Sequence, residues 1–103
     1  MSFYSCPVCG FSGMPFAPVD YNICPCCGTE FGLDDVEMTH AELRDQWLRQ
    51  GAVWFSDELR CPQAIWNPFV QLTLADLEYD HSYEGDWVKN QVEAQSVNLL
   101  RIA

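Results

Sequence analysis

The sequence predicts a small α+β protein, with two cysteine knuckles on short β-hairpins at the N-terminus packed with two or three C-terminal helices. Three observations carry this expectation. The pentapeptides CPVCG (residues 6 to 10) and CPCCG (residues 24 to 28) repeat one turn-forming pattern. Thr39, with Glu42 three residues on, forms a capping box ahead of a run that stops at Gly51. The composition, 49% hydrophobic and 14% aromatic over 103 residues, belongs to an ordered chain even at a net charge of −10.

The knuckles come first in the chain. Cys-x-x-Cys lets two sulfurs converge on one ion while the amides between them turn around it. Proline after the first cysteine presets the turn, and the closing glycine accommodates a tight or positive-φ backbone. Fourteen residues separate Cys9 from Cys24, room for a strand out, a loop at MPFAPVD and a strand back, which sets the knuckles face to face. The expected site is four thiolates, Cys6, Cys9, Cys24 and Cys27, around one tetrahedral ion. Soft S4 ligation accepts zinc or a single iron. Zinc is the preferred cofactor because nothing in the chain signals a redox partner, and four cysteines close the shell, which points to a structural role. Disulfides or ordinary buried cysteines would not need the doubled proline and glycine. Residues 1–36 thus read as a zinc-ribbon-like metal-binding segment, and residues 37–103 as a mainly helical segment packed with it in one domain.

The helical part opens at Thr39. Met38 and Leu43 occupy the two positions of a hydrophobic staple, Leu43 and Trp47 share a face, and Gly51 sits where a C′ glycine belongs. RCPQAIWNPF, with two prolines six apart, reads as an extended or looped connection. Thr73 is placed to cap a short helix LADLEYD, with Leu72 and Leu77 as its staple, and HSYEGD reads as a turn. From Asp86 onward Val88, Val92, Leu99 and Ile102 lie on one helical face, and residues 96–102 read equally as helix or strand.

Charge restricts the partners. Fifteen acidic residues face five basic ones, Arg44, Arg49, Arg60, Lys89 and Arg101, which are scattered along the chain. Phosphate backbones are bound by clustered Lys and Arg, so nucleic acid is disfavoured, and an acidic surface suits solubility or a basic protein partner. No run of eighteen apolar residues predicts a membrane span. The start MSFYSCPVCG lacks a basic region and an apolar core of the kind that directs secretion, so the expected location is cytoplasmic.

Other residues attract attention, each with a plainer explanation. Cys26, the x residue of its knuckle, should point away from the metal as a small semi-buried side chain; a redox thiol would need nearby positive groups. Cys61 can be drawn with His40 or His81 as a nucleophile pair, but no surrounding signature supports it, and no catalytic residue is assigned. His40 reads as a solvated first-turn residue. The carboxylates of FGLDDVE resemble a hard-cation site, yet an acidic approach to a helix N-terminus also explains them and is the preferred reading. Trp47, Trp54 and Phe55 around one helix end read as core packing, with an exposed aromatic patch as the alternative.

YNICPCCGTEFGLDD followed by LRDQWLRQGAVWFS resembles a group of small bacterial zinc-ribbon-like proteins and is similar to the cysteine-rich CPCC family. The resemblance covers about residues 4 to 56. In the CPCC pattern the CPCC knuckle precedes a Y-x-I-C-P-x-C knuckle, whereas here CPCC is itself the second knuckle, fused to Tyr21, Ile23 and Cys24. The resemblance implies a metal site at Cys6, Cys9, Cys24 and Cys27 and brings no activity with it. The preferred function is a non-enzymatic zinc-binding protein that contacts a protein partner through an acidic and aromatic surface, one version being an inhibitor or immunity-type protein. A rubredoxin-like iron electron carrier and a thiol-dependent enzyme are the alternatives.

Overall fold

A computed structural model describes residues 3–56 and 66–88 of the chain. The two knuckles come first, then three helices: α1 (His40–Arg49), α2 (Pro68–Leu74) and α3 (residues 82–88). Cys61 and the 89–103 part of the expected C-terminal helical face lie outside the described residues.

Each knuckle closes on itself. In the first, the Cys6 amide donates to Phe11 O (2.8 Å) and the Gly10 amide to Cys6 O (2.9 Å). The second repeats both bonds at the same offsets, Cys24 to Thr29 O (3.0 Å) and Gly28 to Cys24 O (2.8 Å). Gly10 and Gly28 have φ of 82° and 78°, the left-handed region that glycine enters without a Cβ clash. The expected hairpins are reduced to a single antiparallel bridge per knuckle, Tyr4 with Met14 and Ile23 with Glu30. The strands drawn out of one knuckle and into the next do not pair with each other. Prolines and the turns themselves occupy most of these residues, leaving too little extended backbone for a ladder.

α1 forms as its signals predict. The Thr39 hydroxyl accepts from the Glu42 amide (3.1 Å) and the Glu42 carboxylate from the Thr39 amide (3.0 Å), satisfying two otherwise orphaned donors. Its end is a Schellman motif: Gly51, at φ 98°, donates to Leu48 O (3.0 Å), and Ala52 donates to Trp47 O (2.9 Å). Met38 and Leu43 line one cleft beside Cys27, and Leu43, Arg44, Trp47 and Leu48 are buried.

α2 departs from expectation at both ends. Asn67 is its N-cap, accepting from the amides of Phe69 (2.8 Å) and Val70 (3.3 Å), and Pro68 takes the first helical position. Thr73 therefore lies in the last turn of a helix and does not start one. Leu72 and Leu77 do act together, in the opposite role: Leu77 donates to Leu72 O (3.0 Å) and Asp76, at φ 57°, to Thr73 O (3.1 Å), which is a second Schellman end. The expected turn HSYEGD is helical from residue 82. The Asp80 carboxylate accepts from the Ser82 amide (2.9 Å), and Tyr83 and Trp87, four apart, both pack on the core.

All four tryptophans meet around Trp66, which contacts Trp54, Trp47 and Trp87 edge-on at centroid distances of 5.4, 6.3 and 6.5 Å. Phe11 of the first knuckle joins through Trp54 (5.3 Å) and Phe69 of α2 through Trp87 (6.0 Å). Such pairs add about 0.5–1.5 kcal/mol each beyond area burial. Trp47 and Trp54 are thus core residues, and only Phe55 of that trio is exposed.

Knuckle glycines and cap glycines make different demands. A Cβ on Gly10 would stand 2.8 Å from the Ala75 Cβ and 3.0 Å from Gln71 O, whereas one on Gly51 meets nothing nearer than 3.9 Å. Gly51→Ala is expected to cost about 1 kcal/mol from its backbone angle alone. Gly10→Ala should cost roughly 2–4 kcal/mol, because the overlap with α2 is added. Urea denaturation of the metal-loaded protein checks the ranking.

Candidate metal centre

Cys6, Cys9 and Cys24 are buried to within 1% of full burial, and Cys27 is partly exposed. Their four sulfurs all lie within 4.8 Å of one another. The closest pairs run between knuckles, Cys6 Sγ to Cys27 Sγ and Cys9 Sγ to Cys24 Sγ, each at 3.7 Å. A disulfide needs about 2.05 Å, so these are four free thiols. Four sulfurs at about 2.3 Å from a tetrahedral ion of zinc's size stand about 3.8 Å apart, which fits the observed pairs. The cluster can therefore hold a metal ion on the residues that the spacing named.

The electrostatics show why a cation belongs there. Hydrogen bonding with Cys24 and Cys27 holds the Cys6 thiol far above the ordinary thiol range, and burial does the same for Cys9. Cys24 is raised by its contact with Cys27. Cys27 is driven the other way, because Cys24, Cys6 and Cys9 all stabilise its thiolate, with the Thr29 hydroxyl 3.3 Å from its sulfur. Without an ion the four sulfurs share their protons as one interacting group, and burial opposes each further negative charge. A divalent ion would offset about half of the charge that four thiolates bring.

The helices hold the knuckles by specific bonds. Arg44 of α1, 7% exposed, donates from Nε to Val8 O (2.7 Å), from one terminal nitrogen to Pro7 O (2.8 Å) and from the other to Glu78 O (2.8 Å). Burial lowers the affinity of its guanidinium for the proton. Arg44 is thus a buried cation bracing the first knuckle beside the sulfurs. By sequence it is only one of five basic residues scattered along the chain. Its position inside the apolar arc of α1, next to Leu43 and three before Trp47, was the available signal.

Gln71 of α2 does related work, donating to Cys9 O (3.0 Å) and lying 3.5 Å from Cys26 Sγ, while its own carbonyl accepts from Trp66 Nε1 (3.0 Å). Cys26 is fully buried in the core, outside the four-sulfur group. The second knuckle is braced by residues 55–56, whose amides donate to Cys26 O (3.0 Å) and Pro25 O (2.8 Å).

The remaining candidates have local roles. Asp35 accepts from the Gly32 amide (2.7 Å) and lies 3.2 Å from His40 Nε2, contacts that hold its carboxyl below the usual range. Asp34 accepts from the Glu30 amide (2.8 Å). These carboxylates of FGLDDVE shape a turn and pair with His40, which also packs edge-on against Phe31 at 5.9 Å. His81 is exposed and pairs with Glu84 at 3.1 Å. Neither histidine joins the sulfur cluster.

Among known proteins, the chain is 32% identical over 72 residues to the uncharacterised protein YoaQ of Bacillus subtilis (strain 168), a match covering 48% of this chain. It spans 61% of that relative's length. No family model matches the chain, and no solved structure matches it. Among the described residues, no helix is long and apolar enough to cross a membrane.

Two outcomes follow from this site. Metal uptake displaces thiol protons, so apparent affinity should rise with pH, by about tenfold per unit for each proton released. Competition against a chromophoric chelator across neutral pH measures this slope. Arg44→Met leaves three carbonyls without their donor and should destabilise the protein by roughly 2–4 kcal/mol, read by urea denaturation.

Proposed function

We propose that Cys6, Cys9, Cys24 and Cys27 hold one structural zinc ion in a zinc-ribbon-like unit akin to the cysteine-rich CPCC proteins. The protein then acts in the cytoplasm without catalysis, by contact with a basic protein partner; an inhibitor or immunity-type role is one form of this. The observation that carries the reading is the set of four sulfurs, three of them from buried cysteines, all within 4.8 Å of one another and with the two closest pairs at 3.7 Å. A catalytic zinc keeps a position open for water or substrate, and a fourth cysteine removes it. Zinc also needs no redox machinery around it, and its loss would uncouple the knuckles from the helices that brace them.

The surface fits the rest of the reading in a revised form. With Trp47 and Trp54 in the core, the exposed aromatics are Phe3, Tyr4, Phe16, Tyr21 and Phe55, on or beside the knuckles. The only surface Arg among the described residues, Arg49, is paired with Asp45. A solvent-facing shell of this composition suits a cationic partner and repels nucleic acid. Cys26, buried and outside the cluster, is poorly placed for thiol chemistry.

Metal analysis with a visible spectrum tests the centre: one zinc per chain and a colourless solution are expected. One iron with a red colour would move the protein to the rubredoxin-like class. Cys9→Ser should lose most of the metal and lower the thermal midpoint sharply. Cys26→Ser should keep a full complement of metal and cost about 1–2 kcal/mol.

A further inference from the structure

The knuckle half of the molecule carries an unusually one-sided charge. Residues 1–43 contain no Lys or Arg, and they contain Asp20, Glu30, Asp34, Asp35, Glu37 and Glu42. Four thiolates around a divalent ion add about two more negative charges. Within this field, Phe16, Val19, Tyr21, Ile23 and Leu33 stand exposed. They are neighbours. The Tyr21 amide donates to Phe31 O (2.7 Å), Ile23 bridges Glu30, and the Leu33 amide donates to Glu30 O (3.2 Å). The Asn22 side chain holds Ala17 O (3.1 Å), drawing the Phe16 end of the loop to the same place.

The backbone at the centre of this face is strained. Residues 19–22 form a reversal closed by the Asn22 amide on Val19 O (3.1 Å), with φ of 55° at Asp20 and 63° at Tyr21. Two successive positive angles define a type I′ turn, whose inner positions favour Asn and Gly. A bulky side chain there is a genuine outlier. The conformation gains little burial in return, for Tyr21 remains 66% exposed. Strain at an exposed aromatic is a signature of a residue positioned for what it meets.

We propose that this face docks a cationic segment of a partner protein, with an arginine or lysine of the partner over the Tyr21 ring and its apolar neighbours against Ile23 and Leu33. The proposal rests on the partner-binding reading above and gives it a place. A cation is attracted to the ring face through the quadrupole, and the carboxylates of Asp20 and Glu30 beside it favour basic segments over acidic ones. Among the described residues neither carboxylate has an ion-pair partner within the chain.

The test is titration of the zinc-loaded full chain with an acetylated hexapeptide alternating arginine and leucine, followed by amide chemical shifts. Hexapeptides with citrulline or glutamate in place of arginine are the controls. The arginine peptide should shift residues 19–23 and 30–34 and the controls should not. Tyr21→Gly should raise the thermal midpoint by relieving the strain, yet weaken peptide binding about tenfold. Equal binding by the citrulline peptide, or undiminished binding by Tyr21→Gly, would overturn the proposal. So would a concentration-dependent dimer that covers Tyr21, since the occupant would then be a second copy. Peptide binding elsewhere on the chain rejects this face and leaves the partner reading standing. No binding by a sample with full zinc content rejects both, while the metal centre is judged separately by its metal content.

Discussion

Four thiols pressed together out of water are the constraint on which the rest of this structure depends. Burial opposes the negative charge that their ionisation would bring, and no side chain in the cluster can neutralise it. A single divalent ion would replace thiol protons with four coordinate bonds and close loops between residues 15 and 21 positions apart. The two knuckles bring no sheet to hold them, only one antiparallel bridge each. Their mutual position is set from outside by Arg44, Gln71 and residues 55–56, and a bound ion would set it from within.

Seen this way, the glycines that end the two knuckles have a double duty. Each lets its turn close, and each clears room for a different brace: Gly10 for the C-terminal end of α2, Gly28 for the ring of Phe55, whose Cδ2 would stand 2.9 Å from a Cβ there. The twofold repetition of the motif thus presents two similar backs to two unlike partners. The aromatic cluster around Trp66 then ties both sides to one core.

Much of this was legible from local chemistry, and the failures have physical causes. The two cysteine knuckles and the start and stop of α1 are readable because each motif lies within a few residues of itself. Leu72 and Leu77 were read as the start of a helix because a staple and a Schellman contact share the same spacing of five; only the hydrogen bonds distinguish them. Asn67–Pro68 was absorbed into a proline-rich connection, although a capping side chain followed by proline is a start signal. Trp66 as a hub and the bonding partners of Arg44 are beyond reach for another reason, although the apolar arc of α1 signals that Arg44 is buried. Their partners lie in distant segments, and neither periodicity nor composition reports contacts at that range.

Arg44 has one more consequence, and it is kinetic. Its bonds span 34, 36 and 37 positions and converge on one planar group. They require α1, the first knuckle and the segment following α2 to be in place together, a condition expected to be met late in assembly. Interactions made after the transition state slow unfolding without hastening folding. The residence time of an ion in the sulfur cage would then be governed by a helix side chain that never touches it.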